Sequence, residues 1–183
     1  LDVEKQATEA FNLFDSMIQK EISPDHVSVT ILVQALGRCV PPRLSEAKIL
    51  IDKLEKDRII RKGNRMVNSA AMEACGNAQD VSLALRFFRK IKKPDSIAVN
   101  TLLNVCAKTY KVKTATKLFD FHFLSKDSKL TPGLVSYATI IKLLLAQKQT
   151  IPEARQYYSA MRTKSGLGPD HGLVDTVLQR MLA

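Results

Sequence analysis

The chain has 183 residues, of which 45% are hydrophobic and 25% are charged, and it contains no tryptophan. This composition supplies enough apolar surface for a folded core. Seven glycines and seven prolines suit a helical protein better than a sheet protein. No apolar run approaches the roughly 18 residues needed to cross a bilayer, which argues against a membrane span. The formal net charge of +10 favours a polyanionic partner.

The positive charge is unevenly distributed along the sequence. Residues 1–55 carry 6 Lys and Arg against 9 Asp and Glu, so residues 56–183 carry a net charge of +13. The densest stretch runs from Arg86 to Phe119, where the only acidic residue is Asp95. A field of this sign attracts polyanions, of which RNA is the commonest in a cell. The alternative is a solvated lysine-rich surface without a partner.

The most informative pattern is a repeat of about 35 residues. The dipeptide Pro-Asp recurs at intervals of 70 and 75 residues, at Pro24-Asp25, Pro94-Asp95 and Pro169-Asp170. Pro132-Gly133 divides the second interval. An alanine followed four residues later by a large apolar residue recurs with a similar period, at Ala10, Ala47, Ala84, Ala115 and Ala154. Such periods are typical of stacked-repeat proteins, in which each repeat contacts only its neighbours.

Each period reads as two helices followed by a turn. After the second Pro-Asp pair, apolar residues from Ile97 to Cys106 recur at helical spacing, and a second helical pattern begins at Ala115. The first pattern is apolar on more than one face, whereas the second has a polar outer face. The residue after the proline, such as Asp25 or Asp95, is expected to cap the next helix, because its side-chain oxygen can accept from unpaired backbone amides.

In chain order, the sequence predicts a partial unit at residues 1–25 that supplies a second helix. Whole units are predicted at residues 26–62, 63–95, 96–133 and 134–170, and a lone first helix at residues 171–183. An array that starts and ends within a unit leaves apolar faces uncovered. We therefore expect the sequence to be part of a longer protein, or its ends to rest on a partner.

One detailed pattern recurs along nearly the whole chain. The segments that carry it are VSVTILVQALGRC, VNSAAMEACGNAQDVSLALRFF, IAVNTLLNVCAKTYKVKTATKLF and VSYATIIKLLLAQKQTIPEARQYYSAM, with GLGPD after the last. These segments resemble the pentatricopeptide repeat. The competing tetratricopeptide repeat expects tryptophan and no Asp after its closing proline, which does not fit this sequence. The resemblance implies an all-α fold, a right-handed α-solenoid of stacked helix-turn-helix repeats.

Members of this family are mostly organellar and bind single-stranded RNA, so the resemblance implies positions that contact bases. The second residue of each first helix would sandwich a base, with packing as the alternative explanation: Val27, Met66, Ile97 and Val135. The fifth residue would read the base edge: Thr30, Ser69, Asn100 and Ala138, with Asp175 in the terminal helix. The closing residue of the repeat would assist it: Asp25, Lys62, Asp95, Gly133 and Asp170.

These reading pairs are incomplete. Ser69 with Asp95 resembles the family's hydroxyl-and-acid pair that favours guanine. The pair of Thr30 and Lys62 is not a usual one, and Ala138 has no group that can hydrogen-bond a base. A single intact pair gives little specificity for an RNA sequence, because each good contact discriminates between bases by only about 1–3 kcal/mol.

The phosphate-binding candidates are basic residues near helix ends: Arg38, Lys92, Lys93, Lys108, Lys111 and Lys113. We expect a basic concave face that grips single-stranded or ribosomal RNA from about Arg58 onward, and protein contacts at the acidic N-terminal end. Degraded reading positions and uneven units favour a component of an organellar ribonucleoprotein, such as a ribosome, surrounded by neighbouring proteins. The predicted location is the mitochondrion, with the plastid as alternative. Other readings are a protein scaffold without RNA contact and a free transcript-specific factor.

The sequence shows no catalytic constellation. The His-x-Glu and Pro-Cys-x-x-Cys motifs of the zinc deaminases that some relatives carry are absent. His26, His122 and His171 are too far apart to suggest a ligand set, and His122 falls at a position where a packed or half-buried side chain is expected. Cys39, Cys75 and Cys106 lack paired spacing and are expected to be reduced and packed. We therefore predict a non-enzymatic protein without cofactor, metal or small-molecule substrate.

Overall fold

The computed structural model describes residues 2–164. Within this range the chain forms α-helices joined by short turns, without a strand. The helices are α1 (Val3–Gln19), α2 (His26–Arg38), α3 (Leu44–Lys56), α4 (Arg65–Asn77), α5 (Val81–Lys90), α6 (Ser96–Lys108), α7 (Val112–Phe119), α8 (Leu134–Leu145) and α9 (Ile151–Lys164). A π-helical turn, Asp120–Leu124, continues α7, and a 3-10 turn, Lys148–Thr150, precedes α9. The predicted helix at 171–183, with Asp170 and Asp175, lies outside the described residues.

The chain divides into two compact units, Leu1–Pro94 and Asp95–Ala183. In the first unit α2 lies beside α4, α1 and α3 pack against α2, and α5 packs against α4. In the second unit α6 lies beside α8, α7 packs against both, and α9 packs against α8. Within each unit, the first helices of successive pairs are therefore neighbours. The second helices α3, α5, α7 and α9 rest on their own first helices, and α1 rests on the first helix that follows it.

The first helices are buried on more than one face, as the sequence predicts. In α4 the buried residues extend around more than half of the helix circumference, and they include Val67, Ala70, Met72 and Gly76. The second helix α3 instead buries a single stripe: Ala47, Ile51 and Leu54. Each large aliphatic side chain removed from water contributes about 1.5–3 kcal/mol, so neighbouring pairs stabilise each other chiefly through their first helices.

α2 and α4 run parallel and approach closely at their C-terminal ends. A Cβ atom placed on Gly37 would lie 2.5 Å from the Cβ of Ala74, so only a glycine fits at this crossing. The side-chain amide of Asn77 donates to the Gly37 carbonyl oxygen at 3.0 Å. The N-terminal ends also lie together, because His26 and Met66 line the same cleft. The two helices thus hold their first turns on one edge of the unit.

Aspartates after proline cap the helices that follow them. The Asp25 carboxylate accepts from the Ser28 amide and hydroxyl, both at 2.8 Å, and these bonds lower the pKa of Asp25. The Asp95 carboxylate accepts from the Ala98 amide at 2.9 Å. Such bonds satisfy backbone amides that have no partner within the helix, which confirms the predicted capping role.

The three cysteines, Cys39, Cys75 and Cys106, are free and buried, as predicted. Burial raises the pKa of each thiol, to about 12 for Cys75 and about 11 for Cys106. A thiol with such a pKa is protonated at neutral pH and therefore a poor nucleophile or metal ligand. Within residues 2–164, moreover, His, Cys, Asp and Glu form no group of three or more that could hold a metal ion.

Aromatic packing organises the core of the second unit. The Phe119 ring contacts three other rings at centroid distances of 5.1–5.3 Å, those of Phe123, Tyr137 and Tyr157. The Tyr157 hydroxyl donates to the Asp120 carboxylate at 2.7 Å, which links α9 to the end of α7. His122 is half-buried next to this cluster, as predicted, and burial lowers its pKa.

None of the helices described in residues 2–164 is both long and apolar enough to span a membrane.

Gly63 provides a test of the turn between α3 and α4. Its φ of 73° lies in the left-handed region, and an added Cβ would collide with the Lys90 carbonyl oxygen. We expect Gly63→Ala to lower the free energy of unfolding by about 1–3 kcal/mol, because strain and overlap are introduced together. Gly133→Ala is the matched control: nothing lies within 4 Å of its Cβ position, so the change should stay within about 1 kcal/mol. Urea unfolding followed by far-UV circular dichroism measures both, and equal effects would contradict the tight turn.

Candidate nucleic-acid interface

The second residue of each first helix projects into solvent. Val27, Met66, Ile97 and Val135 occupy this position in α2, α4, α6 and α8, and their side chains are 42%, 45%, 70% and 61% exposed. Packing therefore accounts for only part of each side chain, and the choice between the sandwiching role and packing stays a prediction. An exposed aliphatic side chain at the same place in every described first helix is available to contact the flat face of a ligand.

The fifth residues of the first helices differ in what they offer. The Thr30 hydroxyl donates to the His26 carbonyl oxygen at 2.6 Å and is buried. The Ser69 hydroxyl and the Asn100 side-chain oxygen are buried without any hydrogen-bond partner. Leaving such an atom unpaired costs about 1–3 kcal/mol, so both would gain from a ligand that supplies a polar group. Ala138 is half-buried and has no polar side-chain atom.

The structure corrects the closing residue of the unit predicted at 26–62. The residue immediately before α4 is Asn64, whose side-chain oxygen accepts from the Val67 amide at 3.3 Å. Asn64 therefore holds the place that Asp25 and Asp95 hold before α2 and α6. Lys62 lies two residues earlier, exposed in the turn. The physical reason is the irregular turn after α3, where Gly63 takes a left-handed conformation and shifts the register.

A basic cleft of about 580 Å³, here called the edge cleft, opens where α2 and α4 begin and α5 ends. Its lining residues are His26, Arg61, Lys62, Gly63, Asn64, Arg65, Met66, Ile91, Lys92 and Lys93. The cleft brings the predicted phosphate candidates Lys92 and Lys93 next to Met66 and Asn64. It also includes Arg61, which the sequence did not single out. Cations and an exposed aliphatic side chain thus share one site.

A second basic cleft of about 530 Å³, here called the arginine cleft, adjoins the first. Its lining residues are Arg61, Lys62, Arg86, Arg89, Lys90 and Lys92. Arg61, Lys62 and Lys92 line both clefts, so the basic surface is continuous from the edge of the unit onto α5. Only the local run of basic residues on α5 hints at this cleft in the sequence.

A buried acidic side chain holds the basic turn in place. Glu55 is 7% exposed; one carboxylate oxygen accepts from the Gly63 amide at 3.1 Å, and the other pairs with the Lys90 ammonium at 3.0 Å. Lys90 also pairs with Asp52 at 2.9 Å. Burial alone would lower the pKa of Lys90, but its bonds to the two carboxylates outweigh burial and raise that pKa. These contacts tie the turn to α5 and so fix the spacing of the surrounding cations.

The remaining phosphate candidates lie elsewhere. Arg38 is the last residue of α2 and is exposed beside Glu73, in a shallow groove between α2 and α4. In the second unit, Lys108 ends α6, while Lys111 and Lys113 are exposed at the start of α7. Lys92 and Lys93 are thus the only pair of these candidates, within the described residues, that lines the edge cleft.

No family model matches this sequence, and no curated protein matches it. Solved structures of pentatricopeptide-repeat proteins do match its structure. Maize PPR10 has a TM-score of 0.74 at 20% identity, over 98% of this chain and 25% of that one, so this chain spans a quarter of its length. PPR10 in complex with an 18-nt psaJ RNA element has a TM-score of 0.72 at 18% identity, over 91% of this chain and 24% of that one.

A third similar structure is the pentatricopeptide-repeat domain of Arabidopsis thaliana protein-only RNase P 1, solved in complex with tRNA. Its TM-score is 0.75 at 13% identity, over 99% of this chain and 93% of that domain. The chain therefore has the pentatricopeptide-repeat fold. This result confirms the predicted fold class, an α-solenoid of stacked helix-turn-helix repeats.

The exposure of the second positions can be tested through stability. Ile97→Ser and Val135→Ser should each change the free energy of unfolding by less than about 0.5 kcal/mol, because little packing is lost. Leu102→Ala, at a fully buried position of the same helix α6 as Ile97, should cost about 2–5 kcal/mol. Urea titrations compare the three variants. A cost for Ile97→Ser close to that for Leu102→Ala would mean that the side chain is packed in solution.

Proposed function

We propose that this chain, whose fold is that of the pentatricopeptide-repeat proteins, is an RNA-binding protein that holds single-stranded or ribosomal RNA with little base specificity. The observation that carries the proposal is the exposed aliphatic side chain at the second position of each described first helix. In the first unit, one of these side chains, Met66, lies in the same cleft as Arg61 and Lys92. A nucleotide needs both kinds of group, an apolar surface for its base and a cation for its phosphate.

The geometry of the edge cleft suits one unstacked nucleotide. Met66 offers a soft, polarizable side chain against which a base face can rest. The cations around it are exposed and can approach phosphate oxygens without losing much hydration. The unpaired Ser69 hydroxyl, one helical turn from Met66, can gain a hydrogen bond from a base edge after a change of rotamer. The predicted sandwiching and reading roles are thus supported by exposure and by unmet hydrogen bonding.

Low base specificity follows from what the reading positions lack. Ala138 has no polar group, Gly133 has no side chain, and the Thr30 proton is already donated to a backbone carbonyl. Asp25 and Asp95 each use a carboxylate oxygen to cap a helix. Phosphate contacts are insensitive to sequence, so binding dominated by them should vary little between RNAs of equal length.

The similar solved structures support RNA as the ligand. PPR10 was solved with an RNA element, and the RNase P 1 domain with tRNA. A non-enzymatic role stays a prediction, made because the sequence shows no catalytic constellation. A place in an organellar ribonucleoprotein such as a ribosome, in the mitochondrion or else the plastid, stays a prediction. Co-sedimentation with a large particle after a salt wash tests it.

A second candidate role, protein binding, is favoured by α1. Leu13 and Ile18 are exposed apolar side chains on this helix, and residues 1–55 carry net negative charge. This end would repel phosphate and offers apolar surface to a neighbouring protein. We propose a split role, with protein contacts at α1 and RNA contacts from about Arg58 onward. A scaffold without any RNA contact is the alternative.

Charge reversal at predicted phosphate contacts tests RNA binding. We expect replacement of Lys92, Lys93, Lys111 and Lys113 by Glu to weaken binding of an unstructured RNA by about 100-fold or more, while helical content is unchanged. Fluorescence anisotropy and circular dichroism measure the two quantities. In the wild-type chain, affinity should fall steeply with salt and differ little between sequences.

The control variant makes the same change of net charge within residues 5–56, outside the proposed RNA-binding part of the chain. It replaces exposed lysines of the first unit by Glu: Lys5, Lys20, Lys53 and Lys56. This variant loses the same long-range attraction but no proposed contact, so it should bind clearly more tightly than the first variant. Equal loss in both would show that only net charge matters, and a flat salt response would contradict phosphate-dominated binding.

A further inference from the structure

The two basic clefts of the first unit differ in the chemistry of their linings. The edge cleft combines cations with Met66, Ile91, Asn64 and a glycine. Every residue that lines the arginine cleft is arginine or lysine. The first offers an aliphatic side chain and an amide beside its cations, whereas the side chains of the second all end in a guanidinium or ammonium group that can bind phosphate directly. Two different parts of a nucleic acid would fit the two clefts.

Helix α5 directs its arginines away from the core. Ala84, Phe87 and Phe88 are buried on one face of the helix, while Arg86 and Arg89 are exposed. Because the apolar face is anchored in the unit, the backbone positions of Arg86 and Arg89 are fixed along the surface. The arginine cleft thus combines two arginines of a packed helix with Arg61 and Lys62 of the turn after α3 and with Lys92 after α5.

Most cations of the arginine cleft have no acidic partner. Lys90 is neutralised by Asp52 and Glu55. The other lining residues make no ion pair with a carboxylate in the part of the chain that the structure describes: Arg61, Lys62, Arg86, Arg89 and Lys92. Five uncompensated positive charges around about 530 Å³ repel each other until a polyanion neutralises them.

We infer that the arginine cleft binds the phosphate backbone of a base-paired RNA segment that adjoins a single strand held in the edge cleft. The inference rests on the proposed RNA binding and deepens it. A base-paired segment hides its base faces and displays phosphates, which match a lining made only of cations. A single strand needs surfaces on which its bases can rest, and these lie in the edge cleft. Arg61, Lys62 and Lys92 belong to both clefts, so one RNA can pass from one cleft to the other.

The test compares two RNAs on the 183-residue chain. One is an unstructured strand of about 12 nucleotides, and the other is the same strand extended by a hairpin of about 12 base pairs. The double variant Arg86→Gln with Arg89→Gln should weaken binding of the hairpin RNA about tenfold. The slope of log affinity against log salt concentration should become shallower by the equivalent of about two phosphate contacts. Binding of the unstructured strand should change less than about twofold.

The matched variant removes the same charge from residues that line the edge cleft alone. Arg65→Gln with Lys93→Gln should weaken both RNAs to a similar extent. Equal loss of both RNAs in the Arg86/Arg89 variant, or loss of neither, would overturn the inference while leaving RNA binding intact. A wild-type chain that binds neither RNA would refute the proposed function itself. Tighter binding of a polyglutamate peptide than of the hairpin, abolished in the Arg86/Arg89 variant, would identify an acidic protein as the occupant instead.

Discussion

The side-by-side contact between first helices governs the geometry of both units. In the first unit, Gly37 removes the side chain that would keep α2 and α4 apart, and Asn77 links the two helices by a hydrogen bond. In the second, the Thr139 hydroxyl of α8 lies 3.4 Å from the Asn104 side-chain oxygen of α6. Where first helices are held in parallel, their first turns gather on one edge. In the first unit this arrangement places the sandwiching position Met66, the cap Asn64 and several cations around a single cleft.

The helical pairs follow from the sequence because several local signals agree. Apolar spacing defines each helix, and Asp25 and Asp95 cap helices that begin directly after a proline-containing turn. The start of α4 lacks such a signal, because no proline precedes Asn64 in its turn. Its turn depends on Gly63 packing against α5, a contact between residues far apart in sequence. Register across an irregular turn is therefore fixed by tertiary contacts that spacing cannot show.

The sequence predicts which positions could contact RNA, but it does not show which side chains are exposed or which basic residues share a cleft. Valine, methionine and isoleucine are core residues by type, so the exposure of Val27 or Ile97 could not be read from the sequence. The two basic clefts cannot be predicted from the sequence, for a different reason. Arg61 and Arg86 belong to separate segments and meet only because the turn after α3 folds against α5. Glu55 looks like one of many helix-surface glutamates until the fold places it beneath that turn.

The buried cysteines have a practical consequence for work on this protein. Burial raises the pKa of Cys106 to about 11 and that of Cys75 to about 12, so both thiols are protonated at neutral pH. Thiol-directed dyes react with the ionised form, and the native fold keeps them away from all three sulfurs. A cysteine introduced on the surface, for example in place of Ser82, would therefore take up a maleimide fluorophore selectively. Site-specific labelling for distance measurements needs no removal of the native thiols.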